Sequence, residues 1–239
     1  MKPICFIALL AIAACSTDKE NLNGNTLEDD LAGEAPIRDN VIACAASNEN
    51  DDLISVFLYP RDGATELRYY ETIDAQTDKG NFREYYQLEP PLLDVFNGYL
   101  KKFEISASEE KWVIVSFKED GKTHLSNPIR LKQNAKPTEY LPQNIAIDST
   151  DATMPKFTWE DGAFEDTKIY FQVLSAANND LISGTYTFEK EFQFYDLDNV
   201  VLNITKGMPS ALKQGESHRF TLLAVSEDNW VNLWGEVAF

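Results

Sequence analysis

Trp112-Val113-Ile114-Val115-Ser116-Phe117 runs into Glu119-Asp120-Gly121, and a short apolar run follows at Ile129-Arg130-Leu131. β-Branched and aromatic residues fill the first run, and an Asp-Gly pair between such runs is a strong hairpin signal. Upstream, Leu53-Ile54-Ser55-Val56-Phe57-Leu58-Tyr59 stops at Pro60 before Asp62-Gly63, and Glu66 to Ile73 is aromatic and alternating. Turn signals recur at roughly 8–12-residue spacing, and no long run has helical periodicity, so the chain is predicted to be all-β, built as a sandwich. Leu92 to Leu100 reads as one helical turn or a crossing loop, because Pro90-Pro91 forces an extended approach.

Asn134 to Gln143 contains Pro137 and Pro142 and few bulky apolar residues, and beyond it the strand pattern begins again. The expected organisation is a β-sandwich over 39–134, a stiff extended linker over 135–143 and a second sandwich over 144–239. Residues 15–38 are polar and acidic, with Glu28-Asp29-Asp30 inside. They read as a flexible tether spanning roughly 25–30 Å r.m.s..

In the second half, Phe157-Thr158-Trp159 follows Pro155, and Lys168-Ile169-Tyr170-Phe171-Gln172-Val173 follows an acidic turn. Leu212-Lys213-Gln214-Gly215-Glu216-Ser217-His218 then leads into the alternating Arg219 to Ser226. This is similar to the fibronectin type III pattern, with His218 where that family places its corner tyrosine. The resemblance covers about Asn144 to Phe239 and implies two tandem fibronectin type III-like domains. An immunoglobulin-like sandwich of another topology is the alternative for the first half, where Glu110 occupies the corner.

At the N-terminus, Lys2 precedes the apolar run Ile4 to Ala14, and Ile12-Ala13-Ala14-Cys15 then gives way to Ser16-Thr17-Asp18-Lys19-Glu20. This resembles a bacterial lipoprotein signal with its lipobox. The resemblance implies cleavage of a 1–14 signal peptide and lipidation of Cys15 by a diacylglyceryl group, with a further palmitate-type acyl chain in many bacteria. The run is about eleven residues, against roughly 20 for a membrane-spanning helix. Ser16 favours the outer membrane, and the acidic tract loosely resembles surface-export signals of Bacteroidetes lipoproteins. The expected location is the outer membrane, facing the cell surface or the periplasm.

The chain carries 21 Lys+Arg against 39 Asp+Glu, a formal charge of −18. Such a surface disfavours nucleic acid and anionic membrane faces, and suits neutral glycans, cationic partners or divalent cations. Of three cysteines, Cys5 leaves with the signal and Cys15 carries lipid, so Cys44 stays as a lone thiol in a strand-like run. It reads as a small buried hydrophobe.

Little in the chain points to catalysis. The two histidines, His124 after the Asp-Gly turn and His218, have no metal spacing, and no nucleophile elbow or phosphate-cradling loop is present. No cofactor is expected. Asp161 and Glu165, beside Gly162, are the candidate carboxylate pair for a hydrolase. Asp148-Ser149-Thr150-Asp151 offers oxygens for a structural calcium.

Of four tryptophans, Trp112 and Trp159 sit in strand patterns. Trp230 and Trp234, with Asp228 and Asn229, lie at the turn where type III domains often carry a binding loop. Both rings exposed on one face would make a sugar platform, whereas the alternative has Trp230 shielding the turn and Trp234 packed in the last strand. The first functional reading is a noncatalytic binding, adhesion or assembly module at the envelope, with a protein or glycan partner. The second is a glycan-binding accessory of a polysaccharide-capture system, and the third is a carboxylate-dependent hydrolase.

Overall fold

The computed structural model describes residues 25–239. The signal peptide, the lipidation residue Cys15 and the tether up to residue 24 lie outside the described residues. From residue 25 the chain is all-β apart from short helical turns.

The first sandwich begins with a helical turn, α1 (Leu27–Leu31), followed by β1 (Ile37–Val41), β2 (Ala43–Ser47), β3 (Ile54–Leu58) and β4 (Thr65–Glu71). It continues through β5 (Tyr86–Leu88), β6 (Leu92–Val95), β7 (Leu100–Ile105), β8 (Lys111–Glu119), β9 (Lys122–Ser126) and β10 (Ile129–Leu131). One sheet has the order β2-β3-β7-β6; the other has β1-β9-β8-β4-β5, with β10 also on β8. The Asp-Gly turn is a two-residue hairpin in which Glu119 opposes Lys122, with φ of 50° at Asp120 and 74° at Gly121. Two positive φ values are what a primed hairpin turn needs. The partner strand therefore starts at Lys122 and not at Ile129. Pro128, which lacks an N–H, falls in the gap between β9 and β10, two strands on the same partner.

Period-two alternation builds the core. Ile54, Val56 and Leu58 of β3 meet Val113, Val115 and Phe117 of β8. The opposite face of β8, with Trp112 and Ile114, is covered by Leu27 and Leu31 of α1 together with Tyr70 and Tyr85. This corrects the flexible-tether reading for residues 25–38. Thr26 caps the turn in a reciprocal box with Asp29, and Leu27 is fully buried. Leu92 to Val95 is also corrected, to a strand paired with β7.

The second sandwich comprises β11 (Glu139–Tyr140), β12 (Ile145–Asp148), β13 (Lys156–Trp159), β14 (Thr167–Ala176) and β15 (Leu181–Thr187). β16 (Glu191–Gln193), β17 (Val200–Asn203), β18 (His218–Ser226) and β19 (Val231–Ala238) complete it. A three-stranded sheet β12-β13-β16 faces the sheet β11-β19-β18-β14-β15-β17. This is a fibronectin type III-like arrangement, three strands against four, with β11 and β17 added at the edges. The first sandwich differs in carrying β6 beside β7, a fourth strand on its smaller sheet. His218 is buried, but its ring packs on Phe239 and makes no hydrogen bond of the corner-tyrosine kind.

β18 divides its side chains between two cores. Phe220, Leu222 and Ala224 point into the second sandwich, and Leu223 and Val225 point out of it. The outward set joins Phe171, Val173 and Tyr186 in one cluster with Cys44, Ala46 and Leu100 of the first sandwich. The two sandwiches therefore pack sheet against sheet. The stretch read as a stiff linker is corrected accordingly: Glu139–Tyr140 pairs in parallel with Leu233 and Trp234, and Thr138 is buried between Ser47 and Val231. Backbone groups of that stretch are satisfied by both sandwiches, so it cannot act as a free spacer.

Candidate functional site

The β18–β19 turn fixes the joint. Trp230 is fully buried, contributes its ring to the core of the first sandwich, and donates from Nε1 to the carbonyl of Lys136 at 2.7 Å. The backbone N–H of Ala45 donates to the Asn229 carbonyl at 3.0 Å, and that of Arg130 donates to the Asp228 carbonyl at 3.0 Å. The Asp228 carboxylate meets Lys132 at 2.5 Å. Three of the four residues picked as ligand contacts thus hold the sandwiches together. With Trp230 enclosed, the shared Trp230–Trp234 sugar platform is corrected: the large ring went to the neighbouring core, where burial stabilises it most.

Trp234 has a different setting. It lines a cleft of about 570 Å³ between the sandwiches, together with Phe57, Phe96 and Tyr140. The parallel pairing of β11 with β19 sets Tyr140 beside Trp234, with ring centroids 6.3 Å apart, and β3 presents Phe57 at 5.5 Å. The Tyr140 hydroxyl donates to the Ser47 carbonyl at 2.7 Å. Burial, followed by the charges of Glu49 and Asp51, pushes its pKa up to about 12, so the ring is neutral at physiological pH.

The rim is acidic. Glu49, Asp51, Asp94, Glu104 and Glu236 line the cleft, with Lys102 as its one basic side chain. Lys102 pairs with Glu104 at 2.6 Å, Asp94 with Lys101 and Glu236 with Arg219 at 3.8 Å. Glu49 and Asp51, exposed on the β2–β3 turn, have no basic partner among the described residues. Asp51 accepts the Leu53 N–H at 2.8 Å, which fixes the turn.

The other candidate residues do not come together as a site. Asp161 accepts from the Tyr170 hydroxyl at 2.6 Å and pairs with Lys190 at 2.8 Å, while Glu165 is exposed. Neither lines this cleft. Asp148 and Asp151 bond Thr150 and Thr153 within their own turns. Among the described residues no group of three or more His, Cys, Asp or Glu side chains is placed to hold a metal. His124 is buried, with Nδ1 2.7 Å from Asn40 Oδ1 and 2.9 Å from the Arg61 guanidinium.

No protein-family model matches the chain, and no curated protein matches it. Among solved structures, a two-domain fibronectin type III segment of chicken tenascin aligns over 84% of this chain and 97% of its own, at 9% identity and TM-score 0.31. The FN1-FN3 domains of chicken CNTN1 align over 85% and 67%, at 11% identity and TM-score 0.29. A cytokine receptor complex aligns over 83% and 95%, at 11% identity and TM-score 0.29.

Proposed function

We propose that this chain is a lipid-anchored envelope protein that acts as a noncatalytic binding module, with the cleft between the sandwiches as its ligand site. The supporting observation is the cleft itself: aromatic side chains from both sandwiches line one concave surface beside Glu49 and Asp51, which have no basic partner among the described residues. The lipobox-like segment ending at Cys15 supports the anchor and the outer-membrane location. A second acyl chain would make the attachment stable, since one chain gives only marginal binding.

Two measurements test this. Metabolic labelling with a palmitate analogue should mark the wild type and not Cys15→Ala, and the variant should leave the membrane fraction. A photo-cross-linker at Asn50, on the cleft rim, should capture a partner on intact cells, and one at the remote Asp198 should not. Unlabelled wild type would remove the anchor, and identical patterns at both positions would remove the cleft.

A further inference from the structure

We propose that the cleft takes a cationic group, the ammonium or guanidinium of a basic peptide segment, with Glu49 and Asp51 as counter-charges and Phe57, Tyr140 and Trp234 as the apolar wall. This rests on the binding-module reading and specifies its ligand. Five carboxylates and one ammonium line the cleft. The ammonium is neutralised by Glu104, and two further carboxylates have basic partners, Lys101 and Arg219. Two negative charges are left on one turn, beside aromatic rings. A concave surface lined by one sign of charge concentrates ions of the opposite sign.

The aromatic wall adds to that selectivity. A cation near an aromatic ring gains on the order of 0.5–2 kcal/mol, and the aliphatic stem of Lys or Arg covers apolar surface behind its charged head. An anionic ligand would meet repulsion from the rim. A neutral sugar would use the rings but gain nothing from the two negative charges. The cleft volume of about 570 Å³ falls within the roughly 300–1,000 Å³ of small-ligand sites, room for one or two side chains of a peptide.

The test is calorimetric titration of the purified chain with tri-lysine, maltotriose and calcium. Two double variants are compared with the wild type: Glu49→Gln/Asp51→Asn in the cleft and Asp196→Asn/Asp198→Asn in a remote acidic crevice. Each removes two charges, and melting curves establish that both fold. The expected result is saturable tri-lysine binding that weakens at least tenfold in the cleft variant and less than twofold in the remote one. Equal weakening in both would reduce the effect to diffuse charge attraction and overturn the proposal. So would maltotriose or calcium binding at the cleft in preference to tri-lysine, or no binding of any probe. If tri-lysine fails while the Asn50 cross-linker still captures a partner, only the ligand class falls. If both fail, the binding-module reading falls with it.

Discussion

Trp230 donates its indole N–H to the carbonyl of Lys136 while its ring sits in the hydrophobic core of the other sandwich. One side chain thereby ties together the β18–β19 turn, the connecting segment and the first sandwich. The cleft owes its shape to this joint, because Tyr140 and Trp234 belong to one sandwich and Glu49, Asp51 and Phe57 to the other.

Trp230→Ala should cost about 3–5 kcal/mol in denaturant unfolding, as expected for a large buried aromatic. It should also separate one cooperative transition into two, since the side chain that the β18–β19 turn inserts into the first core would be gone. Trp230→Phe keeps an aromatic ring, though a smaller one, and drops the hydrogen bond: the unsatisfied Lys136 carbonyl costs about 1–3 kcal/mol, and the cavity left by the smaller ring adds to it.

Leu27→Ala should destabilise the first sandwich by about 2–5 kcal/mol, because it opens a cavity over β8. Thr26→Ala should cost about 1 kcal/mol through the lost cap. Hydrogen exchange checks both: amides at the start of α1 should be protected in the wild type and exchange freely in Leu27→Ala.

Glu71 is buried, accepting from the Tyr69 hydroxyl at 2.7 Å and from Lys111 at 2.6 Å. Lys111→Met leaves that carboxylate without its cation and should cost about 3 kcal/mol or more. The double variant Glu71→Gln/Lys111→Met should recover part of the loss in urea titrations.

Cys44 is enclosed at the interface, and burial pushes its thiol pKa up to about 12. Peptide-mapped alkylation at pH 8 should therefore leave Cys44 unmodified in the folded protein and should follow unfolding as denaturant is added.

Asp166 links the connecting segment to the second sandwich through Lys136 and Asn232. Burial raises its carboxyl pKa, but the bonds from Lys136 and Asn232 and the charges of Lys136 and Lys132 together outweigh burial and hold it below the ordinary 3.8. The unfolded chain therefore binds the proton more readily. The stabilising contribution is complete above 3.8 and is lost as pH falls through the lower folded value. Asp166→Asn should melt earlier than the wild type at pH 7, and the gap should close in strong acid.

The strands were legible where local chemistry decides them. Trp112 to Phe117 is a nearly unbroken run of β-branched and aromatic residues ending at Asp120-Gly121, so the strand and its turn are written in the chain, while the polar start of the partner strand at Lys122 hid its position. The helical turn α1 was obscured by the acidic composition around it. Its local signals were Thr26 three residues before Asp29 and the Leu27/Leu31 pair, but the reason for its order is the distant face of β8. The joint was not legible, because Trp230 shielding a turn and Trp230 entering another core look alike in sequence. Trp234 was picked out as a ligand residue and does line the cleft. Glu49, Asp51, Phe57 and Tyr140 were missed because only the packing of two sandwiches brings them together.

The two sandwiches are held in one fixed arrangement with the cleft between them. Pulsed electron–electron double resonance on the chain from Ser16, spin-labelled at Lys122→Cys and Glu216→Cys, reads that arrangement as a distance. These exposed positions lie one in each sandwich, and Cys44 stays protected by burial. The expected result is a single narrow distance distribution that broadens in Trp230→Ala; a wild-type distribution as broad as that of two domains on a flexible linker would mean that the joint is not fixed.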